Sequence, residues 1–273
     1  GDKTAKAYAV FNNGAARYSP DDKHNLTLWL QELRRQLDDL GKKDGGVHYL
    51  LTIAASASPD IARKAYEFKE LGKVLDWIDV MAYDYHGAWE KVANHNAPLH
   101  QNPDDPVNGK GFNVVDSIAL WEMEGVPASK LVMGVPFYGR GWDGCPPKNH
   151  GLFQTCKSAS LHGGTWVKLD PTAYANWDYW DLKKNYVDNK ASGYVRYWDA
   201  ASGVPYLYNP KTQNWISYDD EQSIALKGKY IVDNGLKGGM FWEAATDNNA
   251  GLERTLYASV MEQRPAAAAS AGK

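Results

Sequence analysis

"VMAYDYHG" (80–87) begins as an apolar run and ends in Tyr83, Asp84, Tyr85 and His86. Its first half suits a buried strand. Its second half, an acid set between aromatic side chains, serves no hydrophobic core, because burying an unpartnered carboxylate is costly. A strand that changes character at its C-terminal end fits a parallel sheet whose strand ends carry a ligand site.

The surrounding sequence repeats that design. Ser19-Pro20-Asp21-Asp22 reads as a helix start, with Ser19 as N-cap and Pro20 at the first helical position. Leu26, Leu30, Leu33, Leu37 and Leu40 then share one face, and Gly41 can end the helix. "VHYLLTIAAS" (47–56) predicts a strand. Ser58-Pro59 opens a second helix with Ile61, Ala65, Phe68, Leu71 and Leu75 inward, and "WIDVMAYDY" (77–85) is the next strand. Asn113 caps a helix that ends at Gly125, before the strand "KLVMGVPFYG" (130–139). After an irregular stretch, "YDDEQSIALKGKYIVDNG" (218–235) is a helix capped by Asp219 or Asp220, "GGMFWEAATD" (238–247) a strand, and about 250–262 a last helix. Strands alternating with helices predict an α/β protein with a parallel sheet. Each strand is apolar through its middle and polar or aromatic at its C-terminal end.

The alternation breaks between 142 and 216, where Trp, Tyr, Gly and Asn accumulate around short β-like pieces such as "YVRYW" (194–198) and "VPYLY" (204–208). This stretch reads as a small α+β insertion. "PAAAASAGK" (265–273) reads as a linker or disordered tail.

Composition narrows the classes. A net charge of -3 makes no case for nucleic acid or a charged membrane surface, and no apolar run reaches the length of a membrane span. No apolar leader follows Gly1-Asp2-Lys3, which leaves room for one already removed. The chain holds 11 Trp and 17 Tyr against 6 Phe. Phe would serve a core equally well, so the excess favours wet, sugar-like binding surfaces, with chance bias as the alternative. The two cysteines, Cys145 and Cys156, fit a local disulfide and a secreted protein, two free thiols being the alternative.

Other signals in the sequence carry no site. Gly139, Gly141 and Gly144 spell G-x-G-x-x-G, but Cys145-Pro146-Pro147 follows where a dinucleotide site needs a helix. His86, His95 and His100 match no metal spacing and are expected to act as hydrogen-bonding or surface residues. The Asn25-Leu26-Thr27 sequon falls on a helix. No cofactor and no metal are expected.

"MAYDYHGAW" (81–89), "GVPFYGRGW" (134–142), "SYDDEQS" (217–223) and "GGMFWE" (238–243), in this order, resemble the bacterial chitinases of glycoside hydrolase family 18. The insertion, with "GTW" (164–166), "YWD" (197–199) and "VPYLYN" (204–209), resembles that family's small α+β insertion domain. The likeness runs through most of 19–262. It implies a (β/α)8 TIM barrel that hydrolyses β-1,4-linked N-acetylglucosamine polymers, chitin or chito-oligosaccharides, with retention. The substrate's own acetamido group acts as nucleophile, an exception to the two-carboxylate scheme.

On this resemblance Tyr83 and Asp84 hold the acetamido group, Met81 packs beside the reacting sugar, and Trp242 is its floor. Tyr138 and Arg140 line the cleft, Glu243 supports it, and Trp89 stacks on the leaving-group side. Any of these could instead pack a core or form a strand-end ion pair, Met81 most of all. The resemblance also implies a proton-donating glutamate at the end of D-x-x-D-x-D-x-E. The nearest match, Asp76-Trp77-Ile78-Asp79-Val80-Met81-Ala82-Tyr83, lacks the third acid and the glutamate, and already supplies another motif. In the family that signature shortly precedes the helix that begins here near Pro20, and 1–19 do not contain it.

Four strands are half of the eight a barrel needs. The expectation is the C-terminal half of a barrel, strands five to eight, with barrel segments at 1–141 and 217–264, the insertion at 142–216 after strand seven, and a tail at 265–273. The missing half would be a partner, and this chain alone would be inactive. The alternatives are a chitin-binding, lectin-like relative and an unrelated α/β module with an aromatic cleft.

Overall fold

The computed structural model describes residues 19–159 and 175–263. The expectations for "GTW" (164–166) and for the tail at 265–273 lie outside them, as does nearly all of 1–19. Helix α1, Asp22–Lys43, starts later than the Ser-Pro signal predicts. Ser19 Oγ accepts the Asp21 N–H at 3.1 Å and the Ser19 carbonyl accepts the Asp22 N–H, so the serine closes a local turn ahead of the helix. Gly41 does not end α1. It lies inside the helix, where a Cβ would sit 2.0 Å from the Val47 carbonyl oxygen and only glycine fits, and the chain leaves through Gly45 and Gly46, both at positive φ. Leu30 is buried and Leu26, Leu33 and Leu37 pack on the core, but Leu40 is exposed.

Strand β1 is Thr52–Ser56, the C-terminal half of the expected run. The helix expected after Pro59 is two: α2, Pro59–Ala65, and α3, Phe68–Val74. Tyr66 breaks them apart in an extended conformation. Its hydroxyl accepts the Ser56 N–H at 3.1 Å and its ring packs 5.3 Å from Trp121, which pulls the backbone off the helical path. As a result Ile61 is 53% exposed rather than inward, while Phe68, Leu71 and Leu75 are buried.

Strand β2, Trp77–Met81, is followed by a long loop and then α4, Val114–Met123. The Asn113 side chain caps α4 by accepting the Asp116 N–H. Strand β3, Leu131–Pro136, stops at a proline, which has no N–H to continue the ladder. The expected single strand 130–139 is therefore two. Strand β4, Tyr138–Asp143, turns into a second sheet.

That second sheet is antiparallel. It contains β4, β5 (Ser158–Ala159), β6 (Asn176–Asp178), β7 (Val195–Asp199), β8 (Val204–Asn209) and β9 (Asn214–Ser217), ordered β5-β4-β9-β8-β7 with β6 also paired to β4. It thus takes in Tyr138–Gly141, residues the sequence grouped with the parallel part. The short helix α5, Tyr179–Leu182, leaves β6. Helix α6, Glu221–Asp233, begins at an Asp220 cap whose side chain accepts the Gln222 and Ser223 N–H groups. Strand β10 ends at Trp242 (Gly238–Trp242), and short helix α7, Ala244–Asp247, replaces the rest of the expected strand. Helix α8, Leu252–Tyr257, continues as a π-turn over Ala258–Glu262.

The parallel sheet runs β1-β2-β3-β10. Its pairings Ser56↔Met81 and Trp242↔Pro136 align the C-terminal ends along one rim. Ile78 and Val80 are fully buried in the main core, while Asp79 and Met81, on the opposite face of β2, are only half-buried. The second sheet has its own core of Trp142, Tyr206, Tyr208 and Trp215 around the Cys145–Cys156 disulfide. Much of the Trp and Tyr excess is therefore packing: Trp121, Trp142, Trp177 and Trp215 are all buried. The glycine run is packing as well. A Cβ on Gly141 would lie 2.2 Å from the Trp177 ring, and one on Gly139 would lie 2.8 Å from the Ser217 carbonyl oxygen.

Candidate active site

The site forms where β2, β3 and β10 end and β4 begins. Just past β2, Asp84 adopts a left-handed backbone at φ 58, unusual for a residue with a side chain. Asn96 holds it there, its Oδ1 accepting the Asp84 N–H at 2.8 Å. Asp84 Oδ1 accepts three hydrogen bonds: from the Tyr138 hydroxyl at 2.8 Å, Arg140 Nε at 3.0 Å and Arg140 Nη2 at 2.7 Å. Oδ2 accepts none from the described residues, and the side chain keeps 37% of its accessibility. One oxygen is thus fixed by charge-assisted bonds and the other is left for a donor from outside.

Tyr83 and Tyr138 meet edge to face at 6.2 Å. Burial, then the Asp84 and Asp79 carboxylates, push the Tyr83 phenol up to about 12. Burial first, then Asp84, carry Tyr138 well above the ordinary value. Both phenols are therefore protonated donors at neutral pH. The Arg140 guanidinium lies 5.0 Å from the Tyr138 ring centroid and 5.8 Å from that of Trp89.

Two depressions share Met81, Tyr83 and Asp84. The first, of about 530 Å³, reaches Trp89, Phe112 and Ile61. The second, of about 300 Å³, reaches Tyr138, Arg140, Asp178, Trp242, Glu243 and Thr246. All eight residues singled out in the sequence line one or both. Trp89 and Trp242 are 61% and 57% exposed, against the buried tryptophans of the two cores. Glu243 is exposed, its peptide bond to Trp242 is cis, and its N–H donates to Thr246 Oγ1.

Asn96, Asn176 and Asp178 belong to the site but were missed from the sequence. Asn96 sits in the polar loop after β2, and β6 carries the other two from the insertion to the facing wall. Asn176 Oδ1 is buried with no hydrogen-bond partner among the described residues. The pairing of β6 with β4 brings Asn176 and Asp178 here, and no local pattern encodes that pairing. His86 and His95 are buried hydrogen-bonding residues, on Glu90 at 2.6 Å and Asp199 at 3.0 Å. Among the described residues no cluster of His, Cys, Asp and Glu could hold a metal ion, and no helix is long and apolar enough to cross a membrane.

The model of the Glycosyl hydrolases family 18 matches residues 8–247. The chain belongs to this family. It is 44% identical over 245 residues to Chitinase A1 of Niallia circulans, covering 88% of this chain and 34% of that protein. It is 37% identical over 222 residues to Chitinase 1 of Aphanocladium album, covering 81% and 48%. Chitinase ChiA74 from Bacillus thuringiensis superposes with a TM-score of 0.83 at 42% identity, over 90% of this chain and 41% of that one. The chain thus spans about a third to a half of the curated relatives it matches. Its α/β fold is TIM-barrel-like, as its family-18 neighbours have it.

Proposed function

We propose that this chain is the substrate-holding wall of a retaining chitinase. The observation that carries the reading is Asp84: three donors on one carboxylate oxygen, none among the described residues on the other, at a rim that also exposes Trp242 and presents the Tyr83 phenol. An acetamido group offers one N–H and one carbonyl oxygen. Asp84 Oδ2 accepts the N–H and Tyr83 donates to the carbonyl, which turns that oxygen toward the anomeric carbon. As a general acid protonates the glycosidic oxygen, the acetamido oxygen bonds to the anomeric carbon and the glycosidic bond breaks. Positive charge then spreads onto the acetamido nitrogen, and Asp84 binds it more strongly as that charge grows. Water opens the oxazolinium-like ion with net retention. Trp242 supplies the floor, Met81 packs beside the ring, Arg140 and Tyr138 hold Asp84, Glu243 borders the floor, and Trp89 stacks the leaving sugar.

The acid itself is not among these roles. No D-x-x-D-x-D-x-E occurs in the 273 residues, and we assign the donor to residues outside them. The four parallel strands correspond to strands five to eight of a (β/α)8 barrel, with the antiparallel sheet as its insertion domain and the other half-barrel as partner. The buried disulfide suits a secreted protein. The second reading, a chitin-binding relative without catalysis, rests on the same absent motif. Incubating the purified protein with N-acetylchitohexaose and separating the products tests the assignment. No chitobiose is expected, and its release would show that the chain holds its own acid.

A further inference from the structure

Next to Asp178 lies a separate depression of about 410 Å³, within the range of about 300–1,000 Å³ for small-molecule sites. Trp180 forms one wall. Its ring is half-buried, and its Nε1–H donates to Asp178 Oδ2 at 3.0 Å, so the indole edge is fixed before any ligand arrives. Asp178 also lines the Trp242 depression, and so joins the two. The opposite wall follows the same logic. Glu243 and Thr246 border the Trp242 side, and Asn248 and Asn249, next along the chain, border the Trp180 side.

The polar groups here are unspent. The side chains of Lys184, Asp188, Asn248 and Asn249 make no hydrogen bond or ion pair among the described residues, whereas neighbouring Lys183 is paired with Glu221. Asn248 and Asn249 both hold left-handed backbones, at φ 39 and φ 64. Glu221 neutralises Lys183, and Lys184 balances Asp188, so the site suits a neutral ligand rather than an anion. An aromatic face with its edge fixed, bordered by amides and balanced charges, matches a sugar ring: C–H groups stack on the indole while hydroxyl and acetamido groups bond to the rim.

We infer that this depression is an auxiliary saccharide subsite that takes a further unit of the chain already lying over Trp242. The inference rests on the chitinase reading of the cleft. It makes Trp180 a residue that long oligomers reach and short ones do not.

Calorimetric titration of the purified protein with N-acetylchitobiose and N-acetylchitohexaose tests this. Trp180→Ala is expected to weaken hexamer binding about fivefold, the scale of one aromatic contact, and to leave dimer binding unchanged. Trp180→Phe should recover most of the loss. The pair Lys184→Ala and Asn249→Gly, both at exposed positions, should weaken the hexamer alone and guards against a folding defect at Trp180. Unchanged hexamer affinity in these variants overturns the subsite, as does an equal loss for both ligands. Failure of the underlying reading looks different: the wild type binds neither oligomer, or Trp242→Ala changes neither affinity.

Discussion

Asp84 and Asp219 are both carboxylates held by a cation, yet they are built for opposite ends. Asp219 is 2% exposed and is gripped by a fully buried Lys227 at 2.6 and 2.8 Å, with the Ser223 hydroxyl at 2.7 Å. Burial pushes the Asp219 carboxyl up and the Lys227 amine down, against their mutual attraction. Both Asp219 oxygens are occupied inside the protein. Asp84 spends one oxygen and keeps the other, on a left-handed residue at the rim. A sealed pair fixes α6 to the segment that leads into it from β9, and a half-satisfied one waits for a ligand. Number of partners does not separate structure from site. Which oxygen they occupy, and what water can still reach, does.

The largest effect should come from breaking the sealed pair. Lys227→Ala leaves a buried carboxylate without its counter-charge and is expected to cost about 3–5 kcal/mol in denaturant unfolding. Adding Asp219→Leu to Lys227→Met should recover most of that stability, because an apolar pair of similar volume removes both desolvation penalties. Asp84→Ala, by contrast, should cost only about 1–2 kcal/mol, since Asp84 is 37% accessible and water can enter to take the donors it leaves on Tyr138 and Arg140. A loss at Asp84 as large as at Lys227 would erase the distinction.

Next in size is Trp242→Ala, which should weaken chito-oligomer binding by roughly 1 kcal/mol or more with an unchanged unfolding midpoint, because the indole is exposed and supports no core. A shifted midpoint without a change in affinity would make it a packing residue.

The smallest effect concerns a third acid. Burial alone would raise the Asp199 carboxyl, but His95 and Asn102 outweigh it and hold the group below its usual range. A depressed carboxylate adds stability that is complete above its unfolded value, about 3.9. That stability is lost as pH falls through the lower folded value. Unfolding midpoints measured between pH 6 and pH 2 should therefore drop less steeply in Asp199→Asn than in the wild type. Parallel curves would deny the pair that role.

The strand ends were legible because they break the rules of a core. Asp84 between tyrosines and Trp242 before Glu243 stand where apolar residues should continue, and each falls in the cleft. Helix caps at Asn113 and Asp220 were legible for the same local reason. The misses are non-local. Tyr66 splits a helix by bonding to a strand ten residues away, Gly41 answers a carbonyl in the next loop, and β4 leaves the parallel sheet for partners that follow it by many residues. The facing wall of the site, Asn176 and Asp178, was hidden by that last pairing. The aromatic excess misled in part, since indoles that bury and indoles that bind have the same composition.

Calorimetric titration of the wild type and of Asp84→Ala with N-acetylchitohexaose tests the central claim most directly. The account predicts measurable binding by the wild type and a loss of about tenfold or more in the variant, on the scale of a charge-assisted hydrogen bond of about 1.5–3 kcal/mol. Equal affinity in the two proteins would contradict it.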